Sequence, residues 1–192
     1  MIGLAHPTVR RAFIIAGSAI VLLLLALFGV SYLACSIFGL PFSLSLPVAA
    51  RIIGGLIVVA GLAVSVLVFA YRSPADVIAS TYVTLTKLAR RAPLAEPSGR
   101  TEPLVVVGLQ KYVRNPLYLA VELMLFGWAL ADNSTATLVF AATLLLWYAL
   151  VLIPFEEREL RALFGEQFER YVEEVPMLVP FTKRKRHSLS KA

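Results

Sequence analysis

The chain has 192 residues, 59% of them hydrophobic, with a mean hydropathy of +0.80 and a net charge of +6. So apolar a composition excludes an ordinary soluble domain and points to a single membrane domain over residues 1–192. The lone cysteine, Cys35, excludes an intrachain disulfide framework, and His6 and His187, near opposite ends with no Cys/His cluster, give no basis for a zinc or other metal site.

Met1–Arg11 is a short basic lead. Ala12–Ala34 then runs for 23 residues without a charge, enough to cross a hydrocarbon core of about 30 Å. The apolar region of a signal peptide is only about 7–15 residues, so a first span is the better reading. Ser36–Pro47 carries two prolines and no charge, and reads as an ordered or interfacial loop. Val48–Tyr71 is the second span. Arg51 near its start can snorkel to headgroups, and Gly54, Gly55 and Gly61 allow another helix to approach closely. No GxGxxG fingerprint is present, so a Rossmann-type cofactor site has no support.

Arg72–Pro103 is a polar middle. Ser73-Pro74 starts a helix, with Ser73 as its cap. Val77, Ile78, Tyr82, Leu85 and Leu88 recur at helical spacing, and Lys87, Arg90 and Arg91 gather at its end. This pattern predicts an amphipathic helix on the membrane surface, with a solvated linker helix as the alternative. Pro93, Pro97, Gly99 and Pro103 interrupt regular structure.

The chemistry-bearing stretch is Gly108-Leu-Gln-Lys-Tyr112-Val-Arg114-Asn115-Pro116-Leu-Tyr118. Leu119–Ala131 follows, apolar except for Glu122, and Asp132-Asn133-Ser134 is the turn into a second apolar run, Thr135–Phe155, which ends on Glu156-Glu157. In a helical hairpin, Arg114, Tyr118, Glu156 and Glu157 fall at one end, a setting for a zwitterionic small molecule with an apolar partner. Leu117–Ala131, at 15 residues, is shorter than the roughly 20 usually needed to span. Glu122 lies one turn beyond Tyr118. Pairing with Arg114, meeting an amine acceptor and reaching water at a shallow depth are all open to it.

Glu156–Glu174 is charged but periodic, with Leu160, Leu163, Phe164, Phe168, Tyr171 and Val172 on one face, and should fold over the mouth of the bundle. Pro176 and Pro180 end it, and Met177-Leu178-Val179 offers a docking patch. The basic tail, 181–192, lacks interleaved aromatics and suits anionic lipid rather than nucleic acid. The distribution of Lys and Arg places both termini and the site on the cytoplasmic side. The expected architecture is therefore an all-α integral membrane bundle. It has about four transmembrane helices, amphipathic interfacial helices and a C-terminal cytoplasmic helix, in the cytoplasmic membrane of a prokaryote.

Gly-x-x-Lys-Tyr-Val-Arg-Asn-Pro-x-Tyr, followed by Pro154-Phe-Glu-Glu-Arg-Glu-Leu160, resembles the isoprenylcysteine carboxyl methyltransferase and phospholipid methyltransferase superfamily of integral membrane enzymes. The resemblance runs from about Leu104 to Pro180 and divides the chain into 1–103, a methyltransferase-like core at 104–180, and the tail. Relatives carry histidine and glycine where this chain has Asn115 and Ala120; asparagine keeps hydrogen-bonding capacity but cannot shuttle a proton.

The resemblance implies S-adenosylmethionine as cofactor, bound by Gly108, Tyr112, Arg114, Asn115, Pro116, Tyr118, Glu156 and Glu157. Arg114 would meet its carboxylate, and Arg114 and Glu157 would act as catalytic residues. Glu122, where relatives commonly carry an apolar residue and so lend no role, and Tyr171 are candidates for the acceptor side. The implied acceptor is lipophilic or lipidated, with a prenylcysteine-type carboxylate or a headgroup amine as its reacting group. An NADPH-dependent reductase of related architecture and a non-catalytic lipid-binding scaffold are the alternatives. Arg-Asn-Pro also suits a headgroup anchor before a proline-initiated helix, and Glu156-Glu157 a helix leaving the membrane.

Overall fold

The structure, a computed structural model, describes residues 7–94, 104, 106–180 and 182. The start of the basic lead with His6, the breakers Pro97, Gly99 and Pro103, and the basic tail with His187 lie outside the described residues, as do the side chains of Arg10, Arg11 and Tyr82.

The chain is all-α: α1 (Pro7–Ile37), α2 (Val48–Phe69), α3 (Pro74–Arg90), a 3-10 turn at Gly108–Lys111, α4 (Pro116–Ala131), α5 (Thr135–Trp147), a π-helical turn at Tyr148–Leu152, α6 (Ile153–Phe164) and α7 (Glu166–Glu174). Three helical stretches are long and apolar enough to cross a membrane: Ile20–Ile37, Val48–Phe69 and the continuous Thr135–Phe164. Pro116–Ala131 is a shorter apolar helix; at about 1.5 Å per residue it falls short of a 30 Å core. Leu22, Leu25, Ile52, Leu56 and Val66 are exposed apolar side chains on α1 and α2, as expected where lipid is the solvent.

The glycines of α2 do what their spacing predicts. A Cβ on Gly54 would lie 2.6 Å from the Ala131 nitrogen and 2.7 Å from the Gly127 carbonyl oxygen; one on Gly61 would lie 2.9 Å from the Ala120 oxygen. The α2 and α4 backbones therefore touch, a contact that only small residues permit. Gly55 has nothing near it and takes no part. The seam fixes the end of α2 beside the start of α4.

The far end of the bundle is tied by the 38–47 loop. Leu44 N–H donates to the Asn133 carbonyl (3.1 Å) and Thr135 N–H to the Phe42 carbonyl (3.0 Å), while the Asn133 side chain accepts from Leu46 N–H and donates to Ser43 Oγ. Asn133 sits in the left-handed region, φ 60°, as its place in the turn requires. Arg51 does not simply reach outward. Its Nε donates to the Ala131 carbonyl at 3.1 Å, placing a cation on the C-terminal end of α4.

Two further expectations are revised. The run beginning at Thr135 is not one regular helix: at Pro154, which lacks an N–H, the backbone relaxes into a π turn, with Ile153 N–H reaching the Tyr148 carbonyl. The amphipathic stretch after Phe155 is broken at Gly165, φ 49°, into α6 and α7. Moreover, α3 packs against α1, with Leu85 joining the Phe140–Leu144–Tyr148–Leu152–Ile153 cluster and Lys87 bridging Glu159 at 2.9 Å. It is part of the bundle.

Candidate functional site

Pro116 at the first position of α4 and Pro154 near the start of α6 set the two helix ends from which the central side chains project. Tyr118, in the first turn of α4, donates its hydroxyl to Glu156 Oε1 at 2.9 Å and stacks its ring 4.6 Å from Tyr148. One tyrosine thus bridges both sides of the π turn. The next carboxylate has a different fate. Glu157 Oε1 accepts from Arg114 Nε (2.9 Å) and pairs with its Nη2 (2.7 Å), while Oε2 meets Arg161 at 3.4 Å.

Arg114 is almost wholly committed to the protein. Besides Glu157, its Nη1 donates to the Val172 carbonyl (3.2 Å) and the Val175 carbonyl (2.6 Å). At most one of its five N–H groups is left for a ligand. The backbone repeats the connection: Arg114 N–H donates to the Pro176 carbonyl at 2.9 Å, and Asn115 donates to the Met177 carbonyl from both its backbone and its side chain, each at 3.2 Å. Residues 172–177 therefore form a strap latched onto Arg114-Asn115. Tyr171 adds a bond from its hydroxyl to the Gln110 carbonyl (2.8 Å), and the Gln167 side chain accepts from Leu104 N–H. Burial pushes the Tyr171 phenol up to about 12, with the Glu157 charge adding to this and Arg114 opposing it, so the hydroxyl is a donor at ordinary pH.

Two connected spaces open beside Arg114. A small compartment of about 170 Å³ is walled by Leu67, Val68, Leu117 and Tyr118 and reaches Arg114, Asn115 and Glu156. A wider cleft of about 800 Å³ continues from it along Gln110, Glu157, Leu163, Phe168 and Tyr171. Arg72, Ser80, Val107, Gln110, Arg114, Asn115, Glu156 and Leu160 border both. The combined space lies in the range of small-molecule sites. It holds cationic, anionic and neutral polar groups beside apolar walls, the requirement of a zwitterionic ligand next to a lipophilic one.

Of the residues singled out from sequence, Arg114, Asn115, Pro116, Tyr118 and Glu156 line the small compartment, and Glu157 and Tyr171 the wider cleft. Gly108 contributes shape: at φ 56°, with a Cβ position 2.6 Å from the Tyr71 ring, it presses the 3-10 turn against the end of α2. Tyr112 is 56% exposed and borders neither space.

Glu122 is buried, with neither carboxylate oxygen hydrogen-bonded, and borders neither space; of the alternatives open to it, the pairing with Arg114 does not form, because Glu157 occupies that cation. The sequence reading also passed over Arg72, Ser80 and Gln110. A signal was available for the first: Arg72-Ser-Pro74 repeats the Arg-x-Pro pattern of Arg114-Asn-Pro116 at another helix start.

A family profile described as phospholipid methyltransferase matches residues 50–167, more than half of the chain. The match begins in α2, well before the Leu104 from which the motif resemblance was read. Among individual proteins, the chain is 44% identical over 75 residues to a methanethiol S-methyltransferase of Crocosphaera subtropica, covering 39% of this chain and 28% of that one. It is 40% identical over 76 residues to the Pseudomonas deceptionensis methanethiol S-methyltransferase, covering 40% and 28%. For the Mycobacterium tuberculosis protein of the same description the values are 36% over 92 residues, covering 44% and 36%. The matched segments thus span about a quarter to a third of those relatives' lengths. No solved structure matches.

Proposed function

The chain belongs to the phospholipid methyltransferase family, and from that premise we propose that it transfers a methyl group from S-adenosylmethionine to a small lipophilic acceptor at the mouth of its membrane bundle. The observation that carries this reading is the pair of joined spaces, a cleft of about 800 Å³ and a compartment of about 170 Å³, which share the charged and amide side chains of Arg72, Gln110, Arg114, Asn115 and Glu156 beside apolar walls. The cofactor belongs in the first and the acceptor in the second. The residues present fit the cofactor: the junction carries a carboxylate, a guanidinium and the amides of Gln110 and Asn115, matching an amino-acid end and ribose hydroxyls.

Bound there, S-adenosylmethionine supplies an electrophilic methyl group on a sulfonium. The chain's own work is to bind, align and keep dry. Glu156, steadied by Tyr118, accepts hydrogen bonds from the cofactor's ammonium or ribose. Arg114 and Glu157 are positioning residues: their pairing latches the strap over the cleft and excludes water. Tyr118 walls the compartment, where a sulfonium gains from an aromatic face.

The acceptor read from sequence, a prenylcysteine-type carboxylate or a headgroup amine, gives way to a thiol as the first class to test. The relatives are named for methanethiol, and the compartment is small. A thiol reacts as its thiolate. Its proton leaves to water, the new carbon–sulfur bond forms as the sulfonium bond breaks, and S-adenosylhomocysteine departs as a neutral thioether. Glu157 is engaged by two arginines and Glu156 by Tyr118, so no dedicated base is assigned. The rate should then rise about tenfold per pH unit below the acceptor's pKa.

The test uses purified full-length chain in detergent with methyl-labelled S-adenosylmethionine, offered short-chain thiols, phosphatidylethanolamine and a prenylcysteine analogue. Labelled methyl thioether with equimolar S-adenosylhomocysteine is expected from the thiol. Label confined to phospholipid or prenylcysteine would overturn the thiol assignment. No labelled product from any acceptor would overturn the enzyme reading.

A further inference from the structure

We propose that Arg72 is the cofactor-binding residue that anchors the carboxylate of S-adenosylmethionine, the part that the motif resemblance gives to Arg114; this rests on the methyltransferase reading above. The first ground is elimination among the cations of the mouth. Arg114 spends its guanidinium on Glu157 and the carbonyls of Val172 and Val175. Arg161 is taken by Glu157 and Glu169, and Lys87 by Glu159. Arg72 borders both the compartment and the cleft, and its side chain makes neither an ion pair nor a hydrogen bond among the described residues.

The second ground is placement. The Arg72 backbone N–H is held by the Val68 carbonyl at 3.1 Å, at the end of a helix that the glycine seam fixes against α4. The neighbouring Tyr71 ring is wedged against Gly108, where no side chain fits. The backbone carrying this cation is therefore well determined, while the residue itself is exposed and borders the cleft. Arg72 and Glu156 border the same two spaces, and no ion pair joins them among the described residues. A guanidinium and a carboxylate separated across one cavity complement the carboxylate and ammonium of an amino acid. The planar fork of arginine suits a carboxylate in a way a lysine would not.

The experiment measures binding, not turnover. Full-length wild type, Arg72→Gln and Arg72→Lys in detergent are titrated calorimetrically with S-adenosylhomocysteine and with 5′-methylthioadenosine, which shares the nucleoside and thioether but lacks the amino-acid arm. Thermal unfolding is recorded for each. We expect Arg72→Gln to weaken S-adenosylhomocysteine about 10- to 100-fold. Methylthioadenosine affinity and the unfolding midpoint should stay within error, and Arg72→Lys should recover part of the loss.

Equal affinity for S-adenosylhomocysteine in wild type and both variants would overturn the proposal, and would leave Arg72 a partner for lipid phosphate. An equal loss for both ligands would also overturn it, by removing the link to the carboxylate. Failure of folded wild type to bind either ligand would instead defeat the methyltransferase reading itself.

Discussion

Arg72-Ser-Pro74 and Arg114-Asn-Pro116 are two versions of one local device: a cation just outside a helix that begins on proline. Both stand at the same mouth and border the same cavities. Their side chains have opposite fates. Arg114, 10% exposed, is folded into a latch that joins α4, α6 and the strap at the end of α7; Arg72 is exposed and borders the cleft. Identical local chemistry thus becomes structure in one place and, in our reading, recognition in the other. What decides is whether a carboxylate and two carbonyls arrive from elsewhere in the chain. The same division separates Glu157, caught between two arginines, from its neighbour Glu156, which faces the junction.

The comparison breaks most severely at the latch. Arg114→Ala leaves a nearly buried Glu157 without its main partner and should cost about 3–5 kcal/mol. A large drop in thermal midpoint and enhanced proteolysis after Tyr171 would show it; an unchanged midpoint would remove the structural role. Next comes the wedge beneath Arg72. Gly108→Ala places a Cβ against the Tyr71 ring and a non-glycine residue at positive φ. We expect a cost of about 1–3 kcal/mol and weaker S-adenosylhomocysteine binding as Arg72 shifts. Binding equal to wild type would separate the wedge from the site.

Glu156→Gln and Glu157→Gln sharpen the contrast between neighbours. The first should weaken S-adenosylhomocysteine about tenfold with the midpoint nearly unchanged, as loss of a charged hydrogen-bond acceptor implies. The second should lower the midpoint first. The reverse order would mean the two carboxylates had been assigned the wrong way round.

The smallest effect is expected at Tyr171→Phe, which removes the bond to the Gln110 carbonyl and should cost about 0.5–1.5 kcal/mol. The folded phenol is raised from its ordinary 10 to about 12, by burial first. Its contribution is therefore complete below pH 10 and fades as the pH climbs through 12. Unfolding of both forms at pH 8 and near pH 12 checks the sign: a deficit that grows with pH would refute it.

Much of the architecture was legible in the sequence because it follows from local pattern. Apolar runs marked α1 and α2, Asp132-Asn133-Ser134 marked the hairpin turn, and of the three glycines read as allowing close helix approach, Gly54 and Gly61 meet α4 while Gly55 does not. The shortness of α4 was legible too. The position of Glu156-Glu157 after an apolar run correctly brought those acids to the mouth with Arg114 and Tyr118. The π turn was less accessible, because Pro154 announces a disturbance without specifying how the backbone absorbs it. Gly165 was present in the charged stretch but its positive φ was not.

What the sequence by itself determined is an all-α membrane bundle with its polar groups gathered at one end, since hydrophobic length and periodicity report directly on which segments and faces leave water. Only the tertiary structure decided which of those polar groups are consumed. Arg114 and Glu157 are 43 positions apart and Arg114 and Val175 61. Tyr112 of the motif and Glu122 of the helix after it were both candidates, yet the first ends up exposed and the second buried with neither carboxylate oxygen hydrogen-bonded. Long charged side chains choose partners by distance in space, and those distances are set by the glycine seam, the proline turn and the strap together.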